Sequence, residues 1–218
     1  MTTRGIIFDL DGLLIDSEPH WQAAETAFLE AHGHGYDPAL ARRYAGLRLP
    51  DVIGVMQQAC EIPGDPDGLA ADLLARLLGE YDRGLHACPG AEAAIRLLER
   101  RYPLGVASSS PLSVIRFAIR EFGWEASLAT LCSGEEVSRG KPAPDVFLLA
   151  AKRLDIPPDA CCVFEDSLAG LRAARAAGMR RIAVPTQAFG TADEFASVAD
   201  LVLASLTDLQ PAMVETPA

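Results

Sequence analysis

The chain has 218 residues, half of them hydrophobic, and carries a formal net charge of -11 at pH 7. This length suffices for one well-buried core and a smaller second module. The negative charge argues against nucleic acid or an anionic membrane surface as a partner, because both bind basic faces. No apolar run approaches the roughly 20 residues that span a bilayer, and the first residues lack a signal-peptide pattern. We therefore expect a soluble, cytoplasmic protein.

Five cysteines are distributed along the chain: Cys60, Cys88, Cys132, Cys161 and Cys162. Their odd number and scatter favour reduced thiols over disulfides or a zinc site. We expect none of them to be catalytic.

The first predicted element is a buried strand over residues 6–10, a short β-branched and aromatic run that two glycines flank. Further strand-like apolar runs occupy residues 104–108, 129–133, 161–165, 181–185 and 201–204. The spacing of apolar residues predicts helices over 91–101, 112–122, 145–154 and 168–177. This alternation predicts an α/β fold, with a Rossmann-like, doubly wound parallel sheet covered by helices on both faces. We expect the tail after Gln210 to be loosely held.

Residues 17–87 interrupt the alternation, because they contain no convincing strand. Helix-like stretches lie at residues 20–31, 38–44, 50–60 and 68–78. We interpret this segment as an inserted α-helical cap domain, placed where it can cover the end of the first strand. Residues 1–16 and 88–218 then form the core domain.

Two aspartates, Asp9 and Asp11, stand at the carboxyl end of the first strand. Open α/β sheets place their ligands at this end of the strands. Like charges this close repel each other unless a cation neutralises them. The pair therefore indicates either a magnesium site or a nucleophile with an acid/base partner. Two solvated turn aspartates are the alternative.

A run of three serines, Ser108 to Ser110, closes the second strand and leads into a helix. Free backbone amides and the helix dipole make such an amino terminus attractive to anions. The alternative is an ordinary serine N-cap, which would account for Ser110.

Lys141 follows a glycine in a loop that two prolines stiffen, and it is one of only two lysines among 19 basic residues. Its ammonium could neutralise a phosphate or the Asp9 carboxylate, although a solvated loop lysine is the alternative. Glu165 and Asp166 end another buried strand, and a parallel sheet would bring them to the edge that holds Asp9. Carboxylates that meet there call for a divalent metal, and all-oxygen ligands favour Mg²⁺.

The order of these motifs resembles that of the haloacid dehalogenase (HAD) superfamily of phosphotransferases over nearly the whole chain. Asp9-Leu10-Asp11-Gly12 is similar to the first family motif, Ser108 to the second, Lys141 to the third and Glu165-Asp166 to the fourth. The insertion resembles the small cap of subfamily I, which contains β-phosphoglucomutase, phosphoglycolate phosphatase, and the hexitol and 2-deoxyglucose-6-phosphate phosphatases. Residues 12–19, 46–48 and 107–112 are most similar to the bacterial sugar-phosphate phosphatases.

The resemblance implies a two-step mechanism. Asp9 would attack phosphorus and form an aspartyl-phosphate, while Asp11 would protonate the departing alkoxide and then deprotonate the attacking water. Ser108 and Lys141 would bind the remaining phosphoryl oxygens.

The resemblance also implies the ligands of the Mg²⁺ ion. They are the Asp9 carboxylate, the Asp11 main-chain carbonyl and Asp166, with Glu165 in or near the coordination shell.

Substrate contacts outside these motifs are expected mainly from the cap. Arg48 and His20 are the candidates for touching the sugar or closing over the phosphate, and Glu18 and Ser109 are further substrate-binding candidates. Arg48 could instead be a solvated surface residue, and His20 could pack beside Trp21 or stabilise the hinge.

These expectations combine into a Mg²⁺-dependent phosphatase, expected to be monomeric, that hydrolyses a small sugar or sugar-alcohol phosphate. The nearest rival is a β-phosphoglucomutase, which carries a cap lysine to hold a bisphosphate intermediate. Residues 17–87 contain no lysine, and Arg76 does not align well with that position. The sequence therefore favours hydrolysis. A third alternative is a non-catalytic protein that binds a metabolite or partner in the same cleft.

Overall fold

The computed structural model describes residues 2–185 and 191–215, and the chain divides into two compact units. One unit comprises the residues up to Asp16 and those from Ala87 onward, and the other is Ser17–His86. The chain returns to the first unit at Ala87, one residue before the boundary expected from the sequence. Ala87 belongs to the first unit because it pairs with Ile15 in an isolated β-bridge.

The first unit is built on six parallel strands. They are β1 (Gly5–Phe8), β2 (Leu104–Ser108), β3 (Leu128–Ser133), β4 (Cys161–Glu165), β5 (Arg180–Ala183) and β6 (Leu201–Val202). Their order across the sheet is β3-β2-β1-β4-β5-β6. Every residue of β1, β2 and β4 is buried, as expected for central strands that helices cover on both faces.

Ten α-helices lie in the described residues. In chain order they are α1 (Glu18–Ala31), α2 (Pro38–Tyr44), α3 (Leu49–Cys60), α4 (Pro66–Tyr81), α5 (Ala91–Leu98), α6 (Leu112–Glu121), α7 (Asp145–Leu154), α8 (Leu168–Ala176), α9 (Ala192–Val198) and α10 (Pro211–Glu215). The first four form the second unit, where α1 packs along α4. None of the helices that the structure describes has the length and apolar character needed to cross a bilayer.

The strand order places a topological switch point beside β1. From β1 the sheet continues through β2 to β3 on one side, and the chain then returns to form β4 on the other side. Ligands of open α/β sheets bind outside the carboxyl ends of the strands at such a point. The register pairs Phe8 of β1 with Phe164 of β4, so the residues that follow them emerge side by side.

We expected the tail after Gln210 to be loosely held. This expectation is wrong for residues 211–215, the part of the tail that the structure describes. Residues Pro211–Glu215 form α10, and Val214 is fully buried. The Thr3 hydroxyl donates a 2.7 Å hydrogen bond to the Val214 carbonyl, and Arg101 forms an ion pair with Glu215. Periodicity needs several apolar residues at regular spacing. Helix α10 has five residues and one well-buried apolar side chain, so the sequence pattern did not predict it.

Candidate active site

Asp9 is the first residue after β1 and is almost fully buried, with 5 % of its surface exposed. Its backbone amide donates a 2.9 Å hydrogen bond to the carbonyl of Phe164, the residue that precedes Glu165. This bond fixes Asp9 level with the end of β4. The side chains of Asp9 and Glu165 are therefore neighbours because of strand register.

Lys141 connects these two carboxylates. Its Nζ lies 2.6 Å from Asp9 Oδ1 and 2.6 Å from Glu165 Oε1, and both contacts are buried. The ammonium also lies 4.9 Å from the centre of the Phe147 ring, within the range of a cation–π interaction. One cation thus contacts two buried anions.

Burial and mutual repulsion shift the pKa values of the clustered carboxylates Asp9 and Asp166. Burial raises the pKa of Asp9, Lys141 lowers it, and Glu165 and Asp11 raise it, so that the pKa lies at about 7. Burial and the nearby Glu165 and Asp9 carboxylates raise the pKa of Asp166 well above its usual value. Burial disfavours the charged form of Lys141, but the two carboxylates outweigh that effect, so its pKa lies above the ordinary value. The raised pKa values indicate that Lys141 alone does not compensate the charge of these carboxylates when they are ionised.

Glu165 is held by the start of α8 as well as by Lys141. The backbone amide and the hydroxyl of Ser167 donate hydrogen bonds of 2.7 and 2.8 Å to Glu165 Oε2. Gly170, in the first turn of α8, lies against the same carboxylate, and a Cβ at that position would overlap it. The absence of a side chain at residue 170 therefore leaves the space that the Glu165 carboxylate occupies.

Asp9, Glu165 and Asp166 fit a divalent cation. Each offers a carboxylate oxygen, and these three oxygens lie within 4.8 Å of one another in a buried position. Oxygen-only donors of this kind suit Mg²⁺ or another hard divalent ion. The Asp11 carboxylate does not belong to this group among the described residues, and its side chain has different partners.

Asp11 lies in a tight turn after Asp9, and two serine hydroxyls hold its carboxylate. Gly12 adopts a positive φ of 76°, and the amides of residues 13, 14 and 15 all donate to the Leu10 carbonyl. The Ser108 hydroxyl donates to Asp11 Oδ2 over 3.1 Å, and the Ser110 hydroxyl donates to the same oxygen over 2.7 Å. The structure thus brings Ser108 to the site, but its hydroxyl contacts the second aspartate.

Interpreting Ser110 as a helix N-cap is wrong. The N-cap of α6 is Pro111, without a side-chain cap, and Ser110 instead donates its hydroxyl to Asp11. Sequence reasoning missed this contact because a serine before a helix has the same local pattern in both cases. The available signal was the position of Ser110 just after β2, the strand beside β1.

Ser109 lies between these two serines, and its hydroxyl points into a buried position. The Oγ atom has no hydrogen-bond partner among the residues that the structure describes. A buried hydroxyl without a partner is uncommon, since its desolvation is then uncompensated. Its place beside the Asp11 contacts is consistent with a role in binding, which remains a proposal.

The three remaining candidates belong to the second unit. Glu18 is exposed at the start of α1, and the His20 ring meets the Tyr81 ring edge-on at a centroid distance of 5.4 Å. Arg48 precedes α3 and pairs with Asp51, with 2.7 Å between Nε and Oδ2. His20 thus packs on Tyr81. The part of these residues in binding stays a prediction.

Comparison with known proteins agrees with this geometry. A model of haloacid dehalogenase-like hydrolases matches residues 3–178, which include all four motifs. The chain belongs to this family. It is an enzyme, a hydrolase of the phosphatase type, and the predicted HAD fold with its parallel sheet is confirmed.

Two curated HAD-like hydrolases are similar over almost their whole length. A probable pseudouridine-5'-phosphatase of Drosophila melanogaster is 35% identical over 97% of this chain and 94% of its own. Hexitol phosphatase B of Escherichia coli K12 is 34% identical over 93% of this chain and 92% of its own. Among solved structures, CbbY of Rhodobacter sphaeroides in complex with phosphate is 28% identical, with a TM-score of 0.86 over 99% of both chains.

Proposed function

We propose that this protein is a Mg²⁺-dependent phosphatase that cleaves a small sugar or sugar-alcohol phosphate through an aspartyl-phosphate. The observation that carries the proposal is the placement of Asp9. Its carboxylate is buried at the switch point of the sheet, in contact with Lys141 and within metal-binding distance of Glu165 and Asp166. This arrangement supports a role for Asp9 as the nucleophile, beside a cation and a group of carboxylates that could hold a divalent metal.

The metal would be held by the carboxylates of Asp9 and Asp166, with the Asp11 main-chain carbonyl as a further ligand. Glu165 would lie in or next to the coordination shell, because its two oxygens already contact Lys141 and Ser167. When bound, Mg²⁺ supplies positive charge that offsets the charge of the phosphoryl oxygens.

In the first step, a carboxylate oxygen of Asp9 attacks phosphorus opposite the ester oxygen. The new bond joins Asp9 to phosphorus, the bond from phosphorus to the ester oxygen breaks, and its electron pair leaves with that oxygen. Asp11 donates a proton to the departing oxygen, so the alcohol leaves neutral. Lys141 stabilises the phosphoryl oxygens electrostatically from the contact position it holds beside Asp9.

In the second step, water attacks the phosphorus of the aspartyl-phosphate. Asp11, now a carboxylate, takes a proton from the water as the bond between Asp9 and phosphorus breaks. Inorganic phosphate leaves, and Asp9 and Asp11 regain their starting states. Because one residue alternates between acid and base, no external proton donor is required.

The substrate class rests on the names of relatives and on the cap. Hexitol phosphatase B and pseudouridine-5'-phosphatase are named for phosphorylated polyols and sugar derivatives. We assign sugar contacts to the second unit, with Arg48, His20 and Glu18 as candidates, and a phosphate or sugar contact to Ser109. The net charge of -11 makes local cations such as Lys141 necessary to hold an anionic substrate.

The test is a turnover assay with Mg²⁺ on hexose 6-phosphates, 2-deoxyglucose 6-phosphate, hexitol phosphates, phosphoglycolate and β-glucose 1-phosphate. We expect free phosphate, abolished by EDTA and by Asp9→Asn, and unchanged in the control Asp159→Asn, which replaces an exposed aspartate. Glucose 6-phosphate formed from β-glucose 1-phosphate with little free phosphate would instead identify a mutase. No metal-dependent product on any substrate would overturn the proposal.

A further inference from the structure

The environment of Asp11 contains a residue that the family motifs do not include. Ser110 is buried, with 6 % of its surface exposed, and its hydroxyl lies 2.7 Å from Asp11 Oδ2. The hydroxyl of Ser108 approaches the same oxygen, but the distance is longer, at 3.1 Å. Ser110 therefore makes the shorter of the two serine contacts to the proposed general acid.

The segment that carries Ser110 is itself fixed. Its backbone amide donates to the Ser108 hydroxyl over 3.0 Å, and its carbonyl accepts a 2.7 Å hydrogen bond from the hydroxyl of Ser133 at the end of β3. Three adjacent strands thus contribute to one hydrogen-bonded chain, from β3 through β2 to the turn after β1. A hydroxyl held in this way can orient the group that accepts its hydrogen bond.

We propose that Ser110 is a positioning residue for the proton transfer by Asp11. This inference rests on the proposed function. With Oδ2 accepting hydrogen bonds from Ser110 and Ser108, the carboxyl plane is fixed through that oxygen, and Oδ1 carries the proton that moves to the ester oxygen as its bond to phosphorus breaks. When Asp11 acts as a base, Oδ1 takes the proton from water. Ser110 does not touch the substrate in this scheme.

The proposal predicts a dependence on the leaving group. An alkoxide leaving from a sugar phosphate is strongly basic and needs a proton, whereas p-nitrophenolate is a weak base and departs without one. The value of kcat/KM reports only the steps up to the first irreversible one, which here is departure of the leaving group. Loss of Ser110 should therefore lower kcat/KM for a sugar phosphate much more than for p-nitrophenyl phosphate.

The experiment compares wild-type protein with Ser110→Ala and Ser110→Thr in the presence of Mg²⁺. For Ser110→Ala we expect kcat/KM for the best sugar phosphate of the panel to fall about 10-fold to 100-fold, the range for loss of a hydrogen bond to a charged group. For p-nitrophenyl phosphate we expect a change of less than about twofold. Ser110→Thr retains the hydroxyl, so its kcat/KM for the sugar phosphate should be close to that of the wild-type protein.

Two further variants separate positioning from substrate contact and from a folding defect. Asp11→Asn should also lower kcat/KM more for the sugar phosphate than for p-nitrophenyl phosphate, and by a larger factor, about 10²-fold to 10⁴-fold. Adding Ser110→Ala to Asp11→Asn should cause no further loss. Ser133→Ala removes a buried hydroxyl that holds the Ser110 backbone but does not contact Asp11, and should change the ratio of the two kcat/KM values in the same direction as Ser110→Ala but by less. The midpoint of thermal unfolding, measured for each variant, identifies any that fails to fold.

The outcomes are distinct. Equal losses on both substrates in Ser110→Ala would show that Ser110 binds the common phosphoryl group, and an unchanged ratio with full activity would show that Asp11 does not depend on it. Either result overturns the inference and leaves the phosphatase standing. A wild-type protein inactive on both substrates would instead overturn the proposed function itself.

Discussion

Lys141 is the cation that compensates the negative charge of the buried carboxylates beside it. It contacts both Asp9 and Glu165, and all three side chains are buried. Ion pairs of this kind contribute little beyond a well-packed apolar alternative, but removal of one partner leaves an uncompensated buried charge. The chain's other lysine, Lys152, is exposed on α7 and provides a matched control.

We expect Lys141→Met to lower the free energy of unfolding by roughly 3–5 kcal/mol when measured by urea denaturation in EDTA at pH 8. Lys152→Met should change it by less than about 0.5 kcal/mol. Equal small effects for the two variants would mean that the carboxylates do not depend on Lys141 for compensation.

A second buried acid lies in the helical unit, where no motif marks it. Glu25 on α1 has 7 % of its surface exposed and accepts a 3.0 Å hydrogen bond from the Tyr44 hydroxyl. Burial raises the pKa of Glu25 from 4.5 to about 7, and the hydrogen bond from Tyr44 opposes this shift only in part. Burial and the Glu25 charge raise the pKa of Tyr44, which stays protonated and remains the donor.

The sign of the resulting pH dependence follows from the raised pKa. Between about pH 4.5 and pH 7 the folded state holds a proton on Glu25 that the unfolded state has lost, so this group stabilises the fold at low pH and the benefit disappears as pH rises. Relative to wild type, Glu25→Gln should therefore gain on the order of 3 kcal/mol in free energy of unfolding between pH 5 and pH 8. Urea denaturation at the two pH values measures it.

The control for this effect is Glu30→Gln, which replaces an exposed glutamate on the same helix. It should change the free energy of unfolding by less than about 0.5 kcal/mol at either pH. A Glu25→Gln effect of the same size at pH 5 and pH 8 would show that Glu25 does not titrate in this interval.

At the scale of elements, the junction of β4 and α8 determines where Glu165 lies. The strand ends at Glu165, and the first turn of α8 then contributes a hydrogen-bonding serine and a glycine against the carboxylate. A second helical glycine, Gly54 in α3, faces open space and allows a matched comparison. The two sites differ in what an added methyl group would meet.

We expect Gly170→Ala to displace the Glu165 carboxylate and to lower the free energy of unfolding by about 1–3 kcal/mol through overpacking. Gly54→Ala should raise it by about 0.4–1 kcal/mol, because alanine favours the helix and restricts the unfolded chain. Calorimetric titration with Mg²⁺ should also show weaker binding to Gly170→Ala than to Gly54→Ala. Unchanged affinity would separate the Glu165 position from the metal site.

The elements themselves were largely predictable from the sequence. Strands β2 and β4 and helices α2 and α7 have the predicted bounds, because apolar periodicity and flanking Gly or Pro mark them clearly. Helices α9 and α10 were not predicted, because short segments provide too few periodic positions. Helix α4 extends beyond both predicted ends, since Asp65 caps it with a side-chain hydrogen bond to Gly68.

At the scale of the whole molecule, the site depends on strand order rather than on local sequence. Lys141 pairs with Asp9, which lies 132 residues away along the chain, and with Glu165, which lies 24 residues away. The sheet order brings the three residues together. The meeting of Asp9 and Glu165 was predicted because each lies at the end of a strand-like run, and Lys141 was predicted to reach Asp9 from a stiff loop before a helix. The pair of Glu25 with Tyr44 was not predictable, because it depends on side-chain directions that no periodicity encodes. For the serine contacts of Asp11, the position of Ser110 just after β2 was the only sign in the sequence.

The molecule also divides where the sequence pattern changes. The helical unit Ser17–His86 interrupts the sheet domain directly after the turn that contains Asp11. Such an insertion allows residues for substrate choice to vary without disturbing the strands that hold the nucleophile. We therefore expect substitutions at Arg48 or His20 to alter the ranking of sugar phosphates by kcat/KM, with the free energy of unfolding of the sheet domain unchanged.

The most direct test of this account is to look for the phosphoryl group on Asp9. Enzyme mixed with excess of its best sugar phosphate and Mg²⁺ is quenched in acid within the first turnover, digested, and analysed by mass spectrometry. The account predicts a peptide that carries one phosphoryl group on Asp9, absent when Mg²⁺ is omitted and absent in Asp9→Asn. Rapid release of phosphate with no modified peptide at any quench time, or a phosphoryl group on another residue, would contradict it.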